Sequence, residues 1–221
     1  MVFKPSVQLL QTELVDYWKL RMEAHYFDTY RGRPLIKLPE DLRVYQHIIE
    51  ETQPEVIVEL GTYMGGSAVW FADQLRCLTD YSIQRVVTVG DEVLSPFTSE
   101  EGDIVFINGD HRTLGVLARV TAAVGGRRAM VVDDSAHTFD VTLSALTNYS
   151  GFVSDGCYFV VEDGVVDVPT LTLWPGIDGV QPAIEEFLST EVGSRFSQEE
   201  RNEYVLTMHF GGWLKANGSI E

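Results

Sequence analysis

Residues 56–67 read Val-Ile-Val-Glu-Leu-Gly-Thr-Tyr-Met-Gly-Gly-Ser, and the fold turns on how this stretch is understood. Val56, Ile57 and Val58 form a β-branched apolar run, as in a strand buried on both faces of a parallel sheet. Glu59 then puts a carboxylate at the strand's end, where burial demands a partner. Gly61, Thr62, Gly65 and Gly66 follow. Ser67 is placed to cap a helix carried by Ala68, Val69, Trp70, Phe71, Ala72 and Leu75. A strand, a glycine loop and a helix in this order bring backbone N–H groups to a ligand at the carboxyl edge of a sheet. Glycines alone would equally suit a turn that binds nothing. The acid in front of them argues against that, and against a phosphate cradle, because a carboxylate there suits an ammonium or sulfonium group. The stretch is neither G-x-G-x-x-G nor the phosphate loop closed by Lys-Ser/Thr. The pattern E-x-G-x-x-x-G-G fits S-adenosylmethionine better.

Outward from this stretch the chain alternates strand and helix. Toward the N-terminus, an amphipathic helix is expected over residues 6–30, with Val7, Leu10, Leu14, Tyr17, Trp18 and Met22 near helical spacing. A loop with Gly32, Pro34 and Pro39 leads to a second helix over 42–51, begun by Glu40 or Asp41. Toward the C-terminus, strands are expected at 85–89, 104–107, 129–134 and 157–163, with helices over 113–124 and 140–153. This alternation places helices on both faces of a parallel sheet. Residues 1–52 are expected to be a helical extension packed on a domain spanning 53–221.

The chain has 221 residues, 45% of them hydrophobic, enough for one α/β domain with a substantial core. Its net charge of −17 argues against nucleic acid as a partner, since phosphate backbones are held by clustered Lys and Arg. Cys77 and Cys157 lie in apolar runs and are expected to be buried thiols in a reducing compartment. The opening Met-Val-Phe-Lys-Pro-Ser carries no apolar leader, and no run reaches membrane-spanning length. A cytoplasmic protein without membrane contact is the expectation.

Several expected strands end in acids. Asp91 and Glu92 follow the strand at 85–89, with Asp91 25 residues beyond Gly66, near the distance at which an acid meets ribose hydroxyls. Which of the two does so stays open. Asp110 and His111 follow the next strand, and Asp110 by position suits an adenine amino group. The last two end in Asp133-Asp134-Ser135-Ala136-His137 and Glu162-Asp163-Gly164. Converging carboxylates repel unless a cation or protons offset them. An all-oxygen set selects Mg²⁺, Mn²⁺ or Ca²⁺ rather than zinc. His137, three residues past Asp134, is suited to proton transfer beside such an ion, with His111 the second candidate. His25, His47 and His209 are read as structural. Residues 164–179, with Trp174 and Pro175, are long for a strand-to-helix connection and are assigned to substrate contact or a lid.

Five segments, in order, carry a resemblance: G-R-P-L-I-K-L-P-E-D-L-R-V-Y-Q, E-L-G-T-Y-M-G-G-S-A, D-S-A-H, G-C-Y-F-V-V-E-D and A-I-E-E-F-L, followed by the tail L-T-M-H-F-G-G-W-L-K. Over residues 28–215 the sequence resembles the cephalosporin-hydroxylase-like group of S-adenosylmethionine-dependent O-methyltransferases, relatives of macrocin and rhamnosyl O-methyltransferases. The resemblance implies a Rossmann-like α/β fold with a seven-stranded methyltransferase sheet, its last strand antiparallel and falling at 204–209. It implies divalent-metal ligands at Asp134, Glu162 and Asp163. Cofactor contacts are implied at Glu59, Gly61, Gly65, Gly66, Ser67, Asp91 and Asp110, and Thr62 and His111 join them as candidates. In related catechol-type enzymes a base stands three residues after the first metal-binding Asp, the place of His137. Gly90 departs from the group's usual apolar residue there, and the Asp133-Asp134 doublet leaves two candidates for one ligand. The expected activity is methylation of a hydroxyl on a small molecule, a natural product or sugar. Another reaction on the same site, such as hydroxylation or cyclisation, and a non-catalytic ligand-binding relative are the alternatives. A homo-oligomer is compatible with the sequence, which does not name the acceptor.

Overall fold

The computed structural model describes residues 13–218, apart from 92, 94, 172, 173 and 202. The first part of the expected N-terminal helix and Glu92 therefore lie outside the described residues. Helix α1 (Leu14–Ala24) leads through a short 3₁₀ turn to a small hairpin of β1 (Thr29–Tyr30) and β2 (Arg33–Pro34). Next come α2 (Pro39–Thr52), β3 (Val56–Leu60), α3 (Gly66–Leu78), β4 (Arg85–Gly90) and β5 (Ile104–Asn108). They are followed by α4 (Leu114–Val124), β6 (Ala129–Asp133), α5 (Phe139–Tyr149) and β7 (Tyr158–Val161). The chain closes with α6 (Val180–Leu188), β8 (Phe196–Gln198) and β9 (Trp213–Ala216).

The main sheet has seven strands in the order β5-β4-β3-β6-β7-β9-β8. Strands β3 to β7 are parallel, while β9 runs antiparallel to both β7 and β8. Every residue of β3 and β6 is buried, as the unbroken apolar runs require when both faces of a sheet are covered. After β3 the chain goes to one side of that strand, and it later returns to the other side through β6. The crevice between β3 and β6 is thus the place where strand order reverses, where open α/β sheets bind their ligands.

The helices start and stop where local chemistry dictates. Pro39 opens α2 at a position where its missing N–H costs nothing, and Gln53 in the left-handed region ends it. The Thr113 side chain accepts from Val116 N–H to cap α4, which Gly125 closes. Gly66, at the start of α3, lies so close to Pro34 that an added Cβ would stand 1.9 Å from its carbonyl oxygen. The hairpin and the glycine loop are therefore packed backbone to backbone.

Several expectations change. Ser67 does not cap α3: Gly65, in the left-handed region, stands at the cap and Ser67 lies inside the first turn. The N-terminal helix ends at Ala24 rather than near residue 30, because the chain turns there into the β1–β2 hairpin. The segment at 204–209 is not a strand, and the antiparallel position beside β7 belongs to β9, Trp213–Ala216. The backbone of Met208 is engaged elsewhere: its N–H donates to the Asp41 carboxylate at 2.9 Å and its carbonyl accepts from Val165 N–H. Val205, at φ 70°, also breaks the extended run. Cys157 is buried as expected, but Cys77 is exposed, because the buried face of α3 carries Phe71, Gln74 and Leu75.

A second, smaller apolar cluster of Met22, Leu38, Val165, Leu171 and Met208 joins α1 to the carboxyl edge of the sheet. Trp18 of α1 stacks on Phe210 at 5.2 Å. Arg33 clamps the loop after β4. Its Nε donates to Glu101 Oε1 at 2.6 Å, its Nη1 to the carbonyls of Met64 and Ser95, and the guanidinium lies over Phe97.

These hydrogen bonds from Arg33 hold the Glu101 carboxyl down, from 4.5 to about 2. The folded value lies below the unfolded one, so the clamp contributes fully above 4.5 and is lost as pH falls toward 2. Thermal melts should therefore show Glu101→Gln lowering Tm near neutrality and narrowing the Tm difference between about pH 5 and about pH 3.

Candidate functional site

The carboxyl ends of β3, β4, β5, β6 and β7 open into two adjoining clefts. The first, of about 520 Å³, is lined by Gly61, Thr62, Asp91, Asp110, His111 and Asp134, among others. The second, of about 300 Å³, is lined by His25, Tyr26, Lys37, Ser67, His137, Asp163 and Trp174, among others. Thr62, Tyr63, Asp134 and Ser135 border both, forming a shared wall.

Glu59 lies beneath the glycine loop and is fully buried. Thr88 Oγ1 donates to its Oε2 at 2.5 Å, and Thr62 Oγ1 donates in turn to Thr88 at 2.7 Å. Oε1 has no partner among the described residues. Burial, opposed by Lys37, Ser67 and Thr88, pushes this carboxyl up to about 7. Gly61, at φ 103°, marks where β3 and β6 converge, for a Cβ there would stand 1.8 Å from the Asp134 carbonyl oxygen. Gly65 precedes α3 and faces the Phe97 ring, and Ser67 is buried at the border of the second cleft.

At the far end of the first cleft, Asp91 is exposed. Asp110 is drawn into a bidentate pair with Arg112, whose guanidinium holds its carboxyl down to about 2. His111 is 8% exposed, its Nε2 has no partner among the described residues, and burial lowers its pKa. Tyr149 anchors the His111 carbonyl with a hydrogen bond of 2.7 Å.

The acids after β6 and β7 converge. Asp134 N–H donates to Leu60 O at 2.8 Å, which directs the following residues across the end of β3. Asp134, not Asp133, meets the other acids, because Asp133 is 2% exposed and accepts from Ser135 Oγ at 2.6 Å. Asp163 stands at φ 57° and His137 at φ 54°, two left-handed non-glycine residues whose strain the surrounding contacts must offset. His137 Nε2 lies 3.3 Å from Asp163 Oδ2 and 3.8 Å from Asp134 Oδ1. Its ring stacks on Trp174, nearly parallel, at 6.2 Å. Burial opposes its charge, but Asp163, Asp134, Asp133 and Glu162 outweigh burial and raise its pKa above 6.5. The same burial, helped by the neighbouring acids and resisted by His137, pushes Asp163 up to about 7. Asp134 is raised as well, by burial and then by Glu162.

Four participants escape a reading of the chain. Lys37, buried, donates to Asp134 Oδ2 at 2.9 Å and to both oxygens of Glu162 at 2.6 and 2.5 Å. Tyr45 adds a hydrogen bond to Glu162 at 2.6 Å. His209 and His25, expected to be structural, both stand at this edge. The Asp163 N–H donates to His209 Nδ1 at 3.2 Å, and burial lowers the His209 pKa to about 4, so its ring is neutral. That fixes the remaining proton on Nε2, 3.8 Å from Asp41 and from Glu162. His25 lines the second cleft, whereas His47 faces Tyr204 away from both clefts. The one sequence signal for Lys37 was a lone lysine inside the apolar run Leu35-Ile36-Lys37-Leu38, since a buried lysine needs a counter-charge.

The residues present fit both a nucleoside that carries a free amino-acid group and a divalent ion. Glu59 offers a buried oxygen without a partner among the described residues, and Asp134, His137 and Asp163 present ligand atoms within 4.8 Å of one another, with Glu162 beside them. The ammonium of Lys37, seated among these carboxylates, marks the place as one where positive charge is stabilised.

A sequence model of the family described as rhamnosyl O-methyltransferase/CmcI matches residues 23–217. A rhamnosyl O-methyltransferase of Mycobacterium bovis (strain BCG) is 29% identical over 195 residues, covering 86% of this chain and 78% of that protein. The solved structure of CmcI with Mg and SAM aligns with a TM-score of 0.62 at 20% identity, covering 87% of this chain and 78% of that one. MycE, a methyltransferase of the mycinamycin biosynthetic pathway in complex with Mg, SAH and mycinamycin VI, aligns with a TM-score of 0.57 at 15% identity, over 92% of this chain and 54% of that one. These two structures share the fold. Among the described residues no helix is long and apolar enough to cross a membrane.

The contact between Gly61 and Asp134 makes a direct prediction. Gly61→Ala forces a Cβ into the Asp134 carbonyl at a backbone angle that L-residues rarely adopt, so it should destabilise the fold by about 3 kcal/mol or more. Urea denaturation measures this, and an unchanged midpoint would mean that the two strand ends separate freely.

Proposed function

The chain belongs to the rhamnosyl O-methyltransferase/CmcI family, and on that premise we propose that it transfers a methyl group from S-adenosylmethionine to a hydroxyl of a small molecule, a sugar or other natural-product moiety, beside a divalent cation. The observation that carries this reading is the shared wall: the glycine-loop cleft and the acid-lined cleft meet at Thr62, Tyr63, Asp134 and Ser135. A group held in one cleft therefore lies next to a molecule held in the other. The names of the relatives support the same reading, since the mycobacterial protein is called a rhamnosyl O-methyltransferase and the CmcI and MycE structures hold Mg with SAM or SAH.

Where the two clefts meet, Glu59 beneath the loop of Gly61, Thr62, Gly65, Gly66 and Ser67 would hold the amino-acid end of the cofactor. Glu59 Oε1, which has no partner among the described residues, would accept from its ammonium, with Thr88 and Thr62 fixing the other oxygen. Asp91 suits the ribose hydroxyls. Asp110, engaged by Arg112, serves the adenine through its backbone or after Arg112 turns away, and His111 Nε2 adds a ring nitrogen at that end. Asp134, Glu162 and Asp163 would hold the cation. The sulfonium supplies an electrophilic methyl group, and the cation supplies Lewis acidity toward the acceptor oxygen.

His137 takes the acceptor's proton. It borders the second cleft, with Nε2 3.3 Å from Asp163 Oδ2, in position to receive a proton from a hydroxyl held there. Trp174 stacks on the ring and limits its rotation, while Asp163, 3.3 Å from Nε2, orients it. The turns Gly164–Asp167 and Pro169–Leu171 bring Trp174 over this cleft, and Asp167 pins the far end by accepting from Gly179 N–H at 2.6 Å and Gln181 N–H at 2.7 Å. Together Tyr26, Trp174 and Ile177 give the acceptor an apolar and aromatic seat beside the acids, which suits a sugar ring's C–H face and its hydroxyls.

The purified chain should bind S-adenosylmethionine in calorimetry and form S-adenosylhomocysteine only when a hydroxyl acceptor such as a rhamnoside is supplied. Binding of NAD in its place, or no turnover across a panel of glycosides and phenols, would overturn the reading. EDTA should stop turnover and Mg²⁺ or Mn²⁺ restore it, and activity that survives exhaustive chelation would assign the acids to substrate instead. His137→Ala should lower kcat by about 10²–10⁴-fold with cofactor affinity unchanged. Near-normal kcat in that variant, with chemistry rate-limiting, would move the base to His111 or leave deprotonation to the cation.

A further inference from the structure

Lys37 has no part in the methyl transfer described above, yet it is the most tightly held charge at the site. Its side chain is 1% exposed, and its ammonium touches Asp134 Oδ2 at 2.9 Å and Glu162 Oε1 and Oε2 at 2.6 and 2.5 Å. Tyr45 takes a further position on Glu162. Other oxygens of the cluster lie near histidines instead: Asp134 Oδ1 and Asp163 Oδ2 stand 3.8 and 3.3 Å from His137 Nε2, and Asp163 Oδ1 3.9 Å from His209 Nδ1. The acids are thus divided into an inner half covered by the lysine and an outer half open to the second cleft.

We propose that Lys37 is a tethered cation that competes with a divalent ion for Asp134 and Glu162, and so sets how tightly this site holds metal. The inference rests on the acids being the divalent-cation site proposed above. An ion bound by oxygens sits about 2.0–2.6 Å from each. One sharing Asp134 and Glu162 would therefore stand within a few ångström of an ammonium that already bonds to the same two groups. At that separation like charges repel strongly inside a protein, where solvent screens them poorly. Either the ammonium withdraws or the ion forgoes Glu162, and both lower the affinity for metal. In return, the lysine keeps converging carboxylates together when no metal is bound. Its backbone cannot drift far, since Leu35 and Leu38 on either side are buried and Pro34 is packed against Gly66.

The test titrates Mn²⁺ alone into the full chain, read by the paramagnetic resonance signal of free Mn²⁺ and by calorimetry. Lys37→Met and Lys37→Gln, which remove the charge, should each bind Mn²⁺ about tenfold or more tightly than the parent. Lys37→Arg, which keeps it, should bind like the parent. Mn²⁺ should also raise Tm further in the two neutral variants than in the parent. A lysine that only props the fold gives unchanged or weaker Mn²⁺ binding in the neutral variants, and that result overturns the proposal while leaving the metal reading intact. If the parent, all three lysine variants and Asp163→Asn fail alike to bind Mn²⁺, the metal reading falls and this inference with it. Should the neutral variants fail to fold unaided, refolding with Mn²⁺ must restore a cooperative melt, because the ion supplies the missing charge; failure to do so also overturns the proposal.

Discussion

The ammonium of Lys37, bonded to Asp134 and Glu162, is the interaction on which the carboxyl edge of the sheet depends. Taking a carboxylate out of water is costly, and Glu59, Asp133 and Glu162 are all nearly or fully buried here. Asp134 and Asp163 add their charges at the mouth. Without a cation the cluster could exist only with several of its members protonated. Burial and the adjacent acids raise Asp134, while the carboxylates of Asp134, Glu162 and Glu59 outweigh burial to hold Lys37 charged. Removing one member of such a set leaves the others uncompensated, which is why breaking a buried pair costs far more than the pair itself contributes.

That ion pair also joins regions distant in sequence. Lys37 belongs to the segment between the β2 strand and α2, Asp134 follows β6 and Glu162 follows β7. Asp41, from the first turn of α2, holds the Met208 N–H, so the same N-terminal stretch also fixes the segment leading to β9. Arg33 performs a similar task on the other side, where its guanidinium gathers Glu101 and the carbonyls of Met64 and Ser95. The N-terminal region therefore walls the second cleft, through His25, Tyr26, Pro34, Ile36 and Lys37, and the site is assembled from it as well as from the sheet.

Close backbone packing completes the arrangement. Gly61 lets the end of β3 touch the Asp134 carbonyl, and Gly66 lets α3 begin against Pro34. These glycines are explained first by contact between protein segments. The loop they shape still borders the first cleft, so packing and ligand approach are served by the same absence of side chains.

The sequence by itself determined the alternation of strands and helices, the glycine loop after β3 and the acids that end β6 and β7. Each of these is a local pattern: β-branched runs, helical spacing and turn chemistry act within a few residues and can be read in order. The edge strand could not be read this way. The tail beginning Tyr204-Val205-Leu206 has strand-like composition, yet the Met208 N–H bonds to Asp41, 167 positions away, and the strand forms later at Trp213–Ala216. Only the tertiary structure decided that Asp134 rather than Asp133 faces the other acids, that Arg112 occupies Asp110, and that Lys37, Tyr45 and His209 belong to the site. The physical reason is that buried charge must be compensated by whatever the fold brings near, and Lys37 meets Glu162 across 125 positions of chain. A sequence shows that a carboxylate needs a partner; the packed chain chooses which one.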